Sequence, residues 1–257
     1  MTAAQTNQPR TTRGIWADEA GDREHRLVVV IHGTMDRSSG MLKLSRQLDS
    51  AARVLRYDRR GYGRSAPHAG PFTMDEQVDD LVALLDGRAA ILVGHSYGGN
   101  VALATAARHP SLVRAVSAYE TPLSWEPWWP GSTAGSSALA TGGTPAEAAE
   151  RFMRRMIGDE RWDGLPERTR AVRRMEGDAM VGELVDLRTS VPWRAEDIHV
   201  PVLCGFGSDG AQHYRMGMEH VASNVSDASL VELVGCRHDA PLSHSVLFAR
   251  LMVEPLL

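Results

Sequence analysis

Short apolar runs alternate along this chain with stretches of helical period. Leu27 to Ile31 is a short apolar run suited to a buried parallel strand, Ala89 to Val93 is a second apolar run, and Arg53 to Tyr57, Val113 to Tyr119, Pro201 to Gly205 and Ala228 to Leu233 also read as strands. Between them, Ser39 to Ser50 places Met41, Leu42, Leu44 and Leu48 at helical spacing. Thr73-Met74-Asp75-Glu76 has the form of a capping box ahead of the apolar face Val78, Leu81, Val82 and Leu85. An alanine-rich helix follows Ser96 to about Arg108. Alternating strands and helices with right-handed crossovers build a mostly parallel sheet with helices on both faces, an α/β fold. Gly14 to Asp18 is expected to add a short antiparallel entry strand paired with residues before Leu27. Met1 to Thr12 reads as a disordered tail.

The pattern changes after Glu120. From Thr121 to about Trp193 the residues Trp125, Trp128, Trp129 and Trp162 appear, a Gly/Ser-rich loop spans Gly131 to Thr144, and helices are expected over Pro145 to Ile157 and Pro166 to Leu187. The core is therefore expected over residues 1–120 and 194–257, with 121–193 inserted over its carboxyl edge. The Gly/Ser-rich stretch is the candidate hinge or lip. Methionines and aromatics at helical spacing serve packing first, and here they can also face a cleft. Met35, Trp125, Trp128, Met153 and Met156 are the candidate pocket residues.

The chemistry-bearing residues sit at the strand ends. Gly94-His95-Ser96-Tyr97-Gly98-Gly99 directly follows a strand and opens a helix, so Ser96 is the candidate nucleophile, held on a sharp turn for which Gly94 and Gly98 leave room. The run Leu27 to Ile31 ends in His32-Gly33-Thr34-Met35. That loop can aim a backbone N–H at a developing oxyanion, from Thr34 or, as the neighbouring choice, Met35, with Tyr97 N–H as the second donor. After the last strand comes Gly235-Cys236-Arg237-His238, and His238 is the candidate general base.

With these pieces in place the chain resembles the α/β-hydrolases over nearly its whole length, in the order serine, acid, histidine. Tyr57-Asp58-Arg59-Arg60-Gly61-Tyr62-Gly63-Arg64-Ser65 is a further mark of the resemblance, architectural in such proteins. The resemblance implies an α/β-hydrolase fold with a helical cap and acyl transfer through Ser96 and His238. Two positions are open for the acid. The usual one is the loop after Pro201 to Gly205, where Asp209 lies, but its spacing departs from the family's pattern by one residue in either count. The other is the strand end before the cap, where Glu120 stands. Glu120 is preferred, because an ionised carboxylate buried there needs a partner such as the imidazolium forming on His238.

A serine at position 96 argues against the carboxylate nucleophile of related dehalogenases and epoxide hydrolases. The expected reaction is hydrolysis of a small carboxylic ester or lactone. Carbon–carbon bond hydrolysis, peracid formation and a ligand receptor of negligible turnover are the rival readings. Composition narrows the partners. Net charge is −4 without a block of one sign, and 27 of 28 basic residues are scattered arginines, which gives no nucleic-acid footprint. Cys204 and Cys236 are too few for a disulfide framework and are expected as free thiols. No apolar stretch has signal-peptide or membrane-spanning length, so a cytoplasmic protein with a small-molecule substrate is expected. His213 and His220 lack metal-site spacing, and Gly61-Tyr62-Gly63 lies too far from the next helix for a dinucleotide fingerprint; neither a metal nor a cofactor is expected. His32 and His95, set beside glycines, are expected as packed, hydrogen-bonded side chains.

Overall fold

The computed structural model describes residues 10–140 and 142–257. Residues 1–9 of the expected tail lie outside the described residues, whereas Arg10–Thr12 form strand β1. β2 (Ile15–Ala20) pairs antiparallel with β1 on one side and with β4 on the other, not with residues before Leu27. The remaining strands are β3 (Leu27–Ile31), β4 (Arg53–Tyr57), β5 (Ala90–His95), β6 (Val113–Tyr119), β7 (Val202–Gly207) and β8 (Ala228–Leu233). The sheet runs in the order β1-β2-β4-β3-β5-β6-β7-β8, parallel from β4 onward.

Helices cover both faces. α2 (Met74–Leu85), α3 (Tyr97–Arg108) and α9 (Gln212–Asn224) bury Leu81, Leu84, Val101, Leu103, Met218 and Val221 against one side. α1 (Leu42–Leu48), α10 (Ala240–Ser243), α11 (Ser245–Phe248) and the π-turn Ala249–Val253 close the other around Leu44, Phe248 and Met252. Because β3, β5, β6, β7 and β8 are parallel, all five release their chains at one rim, which is where the candidate residues lie.

Between β6 and β7 run α4 (Ala134–Ala140), α5 (Pro145–Ile157), α6 (Asp159–Asp163), α7 (Glu167–Met175) and α8 (Gly177–Thr189). They share a third apolar cluster: Phe152, Met153, Trp162, Met180 and Leu184 pack with Met35 and Tyr62 from the loops beneath. Part of the expected hinge is thus helical. Ala134 and Ala138 recur at helical spacing, and Gly135 lets α4 sit against Leu184 and Arg188 of α8. α5 matches its expected span and carries a full capping box, Thr144 with Glu147. The single helix expected over Pro166 to Leu187 breaks at Glu176. The Gly177 Cα lies so close to the Pro145 carbonyl that a side chain there would approach it to 2.2 Å, and Glu176 turns its carboxylate inward. Leu123, Leu187 and Trp193 belong to the cluster beneath α3 and α9.

Candidate active site

Ser96 caps α3 at φ 54° and ψ −126°, a conformation that costs an L-residue roughly 1–3 kcal/mol and persists only where the surroundings enforce it. Its N–H donates to the Tyr119 carbonyl at 2.9 Å. Three glycines make the turn possible. A Cβ on Gly94 would lie 2.4 Å from the Gly98 carbonyl oxygen, one on Gly98 would lie 2.3 Å from that of Ile31, and one on Gly99 would lie 1.9 Å from Thr121 Oγ1. Gly33 brings the loop after β3 against the serine, its missing Cβ being 3.4 Å from Ser96 Oγ.

Glu120 follows β6 as Ser96 follows β5. The preceding residues, His95 and Tyr119, are register partners, and Glu120 too has a positive φ, 46°. Its side chain is fully buried and both oxygens are engaged. Oε2 meets His238 Nδ1 at 2.7 Å, and Oε1 accepts the Gly207 N–H at 2.9 Å. A carboxylate only accepts, so Nδ1 carries the proton and Nε2 is left as the basic nitrogen. Gly210 leaves space for this group, since a Cβ there would lie 2.7 Å from Oε1. Asp209 takes no part. It is exposed, accepts from Ser208 Oγ at 2.9 Å, and its N–H goes to the Cys236 carbonyl. The loop after β7 thus serves Glu120 with a backbone donor and a glycine rather than supplying a second carboxylate to His238.

The loop bearing His238 is pinned on three sides. His95 Nε2 donates to the His238 carbonyl at 2.8 Å, the Tyr119 hydroxyl donates to the Arg237 carbonyl at 2.9 Å, and the Tyr214 ring stacks on the imidazole at 4.4 Å and 12°. Burial, then the nearby His238, drive His95 well below the usual histidine range, so it stays neutral. His213, lowered by partial burial and by His238, packs on Trp129 and Tyr214. The sequence pattern places none of Tyr119, Tyr214 or Trp129 at this site: Tyr119 reads as the last residue of a strand, Tyr214 as one residue of a helix and Trp129 as one of the tryptophans of the insertion.

Beneath the loop after β3, His32 is buried and held neutral at about 3, chiefly by desolvation and then by Arg59. Its Nδ1 donates to the Gly33 carbonyl at 2.8 Å, and its Nε2 accepts the Arg59 N–H at 2.9 Å. Tyr97 is buried with its ring below the Arg59 guanidinium, 4.6 Å from its centre. Most of the Asp58 to Ser65 loop is architectural. Asp58 accepts from the backbone N–H groups of Ser38 and Arg64, and Arg60 pairs with Asp80.

The five candidate pocket residues divide. Met35, at φ 57°, and Met153 share the cluster below α5. Trp125 instead packs edge-on against Trp193 at 5.5 Å and borders a groove with Leu123, Arg194 and His220. Trp128 meets His220 and Trp129, and Met156 is 40% exposed. The reason lies in the start of the insertion. Leu123 is drawn into the core beneath α3 and α9, which carries the Trp125–Trp128 segment with it, leaving Trp129 to face Tyr214. Both cysteines are free and buried. Among the described residues no helix is long and apolar enough to cross a membrane.

A family model described as "Alpha/beta hydrolase family" matches residues 28–251. The chain belongs to the alpha/beta hydrolase family. The relatives it matches include proteins named as lipases, carbamate hydrolases, esterases and epoxide hydrolases, and the chain spans about a third or less of the length of the first of them. The pimeloyl-[acyl-carrier protein] methyl ester esterase of Neisseria meningitidis is 29% identical over 235 residues, 87% of this chain and 91% of that one. Lipase LipV of Mycobacterium tuberculosis is 38% identical over 92 residues, and that alignment spans only 35% of this chain and 34% of LipV. A hydrolase structure from Pseudomonas aeruginosa superposes with a TM-score of 0.74 at 20% identity, covering 98% of this chain and 99% of that one, a likeness of fold.

Proposed function

We propose that this alpha/beta hydrolase cleaves a small, uncharged carboxylic ester or lactone through an acyl-enzyme on Ser96. The observation that carries the reading is the 2.7 Å contact between His238 Nδ1 and the buried Glu120 carboxylate, at the same rim as a serine held in a strained turn. His238 Nε2 takes the Ser96 proton as Oγ attacks the carbonyl carbon. Glu120 fixes the imidazole tautomer and offsets the charge of the imidazolium. The backbone N–H groups of Thr34 and Tyr97 receive the oxyanion, the alkoxide leaves with the proton from His238, and water releases the acyl group by the reverse sequence. α4 to α8 form a cap over this rim. Met153 at its underside and Met35 on the loop beneath give the acyl portion an apolar wall. The near full-length relative named as a methyl ester esterase supports ester over carbon–carbon chemistry.

The test is hydrolysis of p-nitrophenyl esters of increasing acyl length by wild type and Ser96→Ala. Turnover that disappears in the variant is expected. A folded wild type that cleaves none of the panel, or a Ser96→Ala variant that retains wild-type rates, overturns the reading.

A further inference from the structure

Among the described residues, two charged side chains outside the proposed triad are fully buried. Glu183 of α8 and Arg59 of the loop after β4 are both 0% exposed and meet across the boundary between cap and core. Glu183 Oε2 accepts from Arg59 Nη1 at 2.6 Å, while Oε1 accepts from Arg59 Nη2 at 3.3 Å and from the Tyr62 hydroxyl at 2.7 Å. Burial works against the guanidinium's charge, and Glu183 more than restores it.

The rest of the guanidinium faces the loop after β3. Nε donates to the His32 carbonyl at 3.0 Å and Nη2 to the Gly33 carbonyl at 3.1 Å. The Gly33 carbonyl also accepts from His32 Nδ1 at 2.8 Å and from the Asp36 N–H at 3.3 Å. That carbonyl and the Thr34 N–H are the two ends of one planar trans peptide, so pinning the oxygen from three donors points the N–H the opposite way. A cation on the oxygen also polarises the amide and makes its N–H a stronger donor. The same loop is tied to the cap once more, at its next carbonyl but one, where Arg173 Nη1 donates to Met35 at 2.7 Å and pairs with Glu176.

We propose that Glu183, acting through Arg59, is a positioning residue of the oxyanion hole: a cap carboxylate orients the Gly33–Thr34 peptide so that the Thr34 N–H, rather than that of Met35, faces the developing oxyanion. The cap is on this account part of the catalytic apparatus as well as a cover. The inference rests on the serine-hydrolase reading above.

Arg59→Lys separates the role from simple charge balance. A lysine keeps a positive charge opposite Glu183, but one ammonium cannot serve the carboxylate and both carbonyls together. Arg59→Lys and Glu183→Gln are assayed with p-nitrophenyl esters. Active sites are counted by fluorophosphonate labelling of Ser96, and amide hydrogen exchange is followed over residues 32–36. Expected is a fall in kcat per labelled site of about ten- to a hundred-fold with KM changed less than about two-fold, together with faster exchange at Thr34. Folded, labelled variants with wild-type kcat, or a loss confined to KM, overturn the positioning role. Should Glu183→Gln fail to fold, Arg59→Lys decides alone. A wild type that takes up no label at Ser96 overturns the serine-hydrolase reading and the oxyanion role with it, an outcome distinct from labelled wild type beside unimpaired variants.

Discussion

A carboxylate with no exposure must find its partners inside the fold, and Glu120 finds two, the His238 imidazole and the Gly207 N–H. Glu120→Gln keeps the size and one acceptor but turns an amide toward Nδ1 and favours the wrong imidazole tautomer. Its kcat should fall about a thousand-fold or more. Asp209→Asn, altering an exposed side chain bonded to Ser208, should stay within about two-fold of wild type, since substitutions at such surface positions are close to neutral. Steady-state kinetics on one ester decides between the two carboxylates, and a larger loss in Asp209→Asn would reverse the assignment. The choice could be framed from sequence but not closed there, because both residues end a parallel strand. Only the path of the chain past Gly207 shows which one reaches His238. Arg59 was hidden more deeply, inside a run whose other members are architectural. Glu183 did leave a trace, a carboxylate on the face of α8 that also carries Ala179, Met180 and Leu187.

At the scale of elements, the tight packing of α3 on its surroundings depends on absent side chains. Gly99→Ala would drive a Cβ to 1.9 Å from Thr121 Oγ1 and to 3.0 Å from its Cβ, an overpacking that should cost about 1–3 kcal/mol. Combining it with Thr121→Ala removes the worst contact and should recover part of the loss. Urea unfolding of the two single variants and the double gives the coupling, and strictly additive losses would show that the clash relaxes elsewhere. Thr144→Ala, which deletes the capping box of α5, should lower stability by about 1 kcal/mol in the same assay. β3, β4, β6 and β8 have the bounds expected from the sequence: β3 is a continuous apolar run buried inside the sheet, whereas the edge strand β8 keeps its bounds although most of it is not buried. Less legible were α4, a helix of small residues that forms because α5 and α8 give it a surface, and the break at Glu176. β1 was missed because a three-residue edge strand acquires its pairing only from β2.

For the molecule as a whole, His32 and His95 set a pH dependence. Both are held below the ordinary value of 6.5 by burial, His32 at about 3. As pH falls below 6.5 the unfolded chain takes up protons that the folded chain refuses. The unfolded state then binds more protons, so stability is full above that range and is lost on acidification, with a slope of up to about 2.7 kcal/mol per pH unit where both groups contribute fully. Urea midpoints measured at intervals from pH 7.5 to about pH 4.5 should therefore decline. A midpoint that holds steady or rises over that span would contradict the neutral, buried state of these imidazoles.

Glu176, at the N-cap of α8, and Glu183, about two turns further along it, hold Arg37 and Arg59 of the loops beneath, and Glu176 also pairs with Arg173 of α7. Insertions at this point of the fold look like interchangeable cassettes, but here the cassette carries two keys. A cap grafted from a relative with apolar residues at those positions would strand a buried cation under the loop it must steady, however well its helices packed. Exchanging the helices between β6 and β7 as a unit should therefore succeed only where the incoming segment brings a carboxylate to Arg59 or Arg59 is replaced with it.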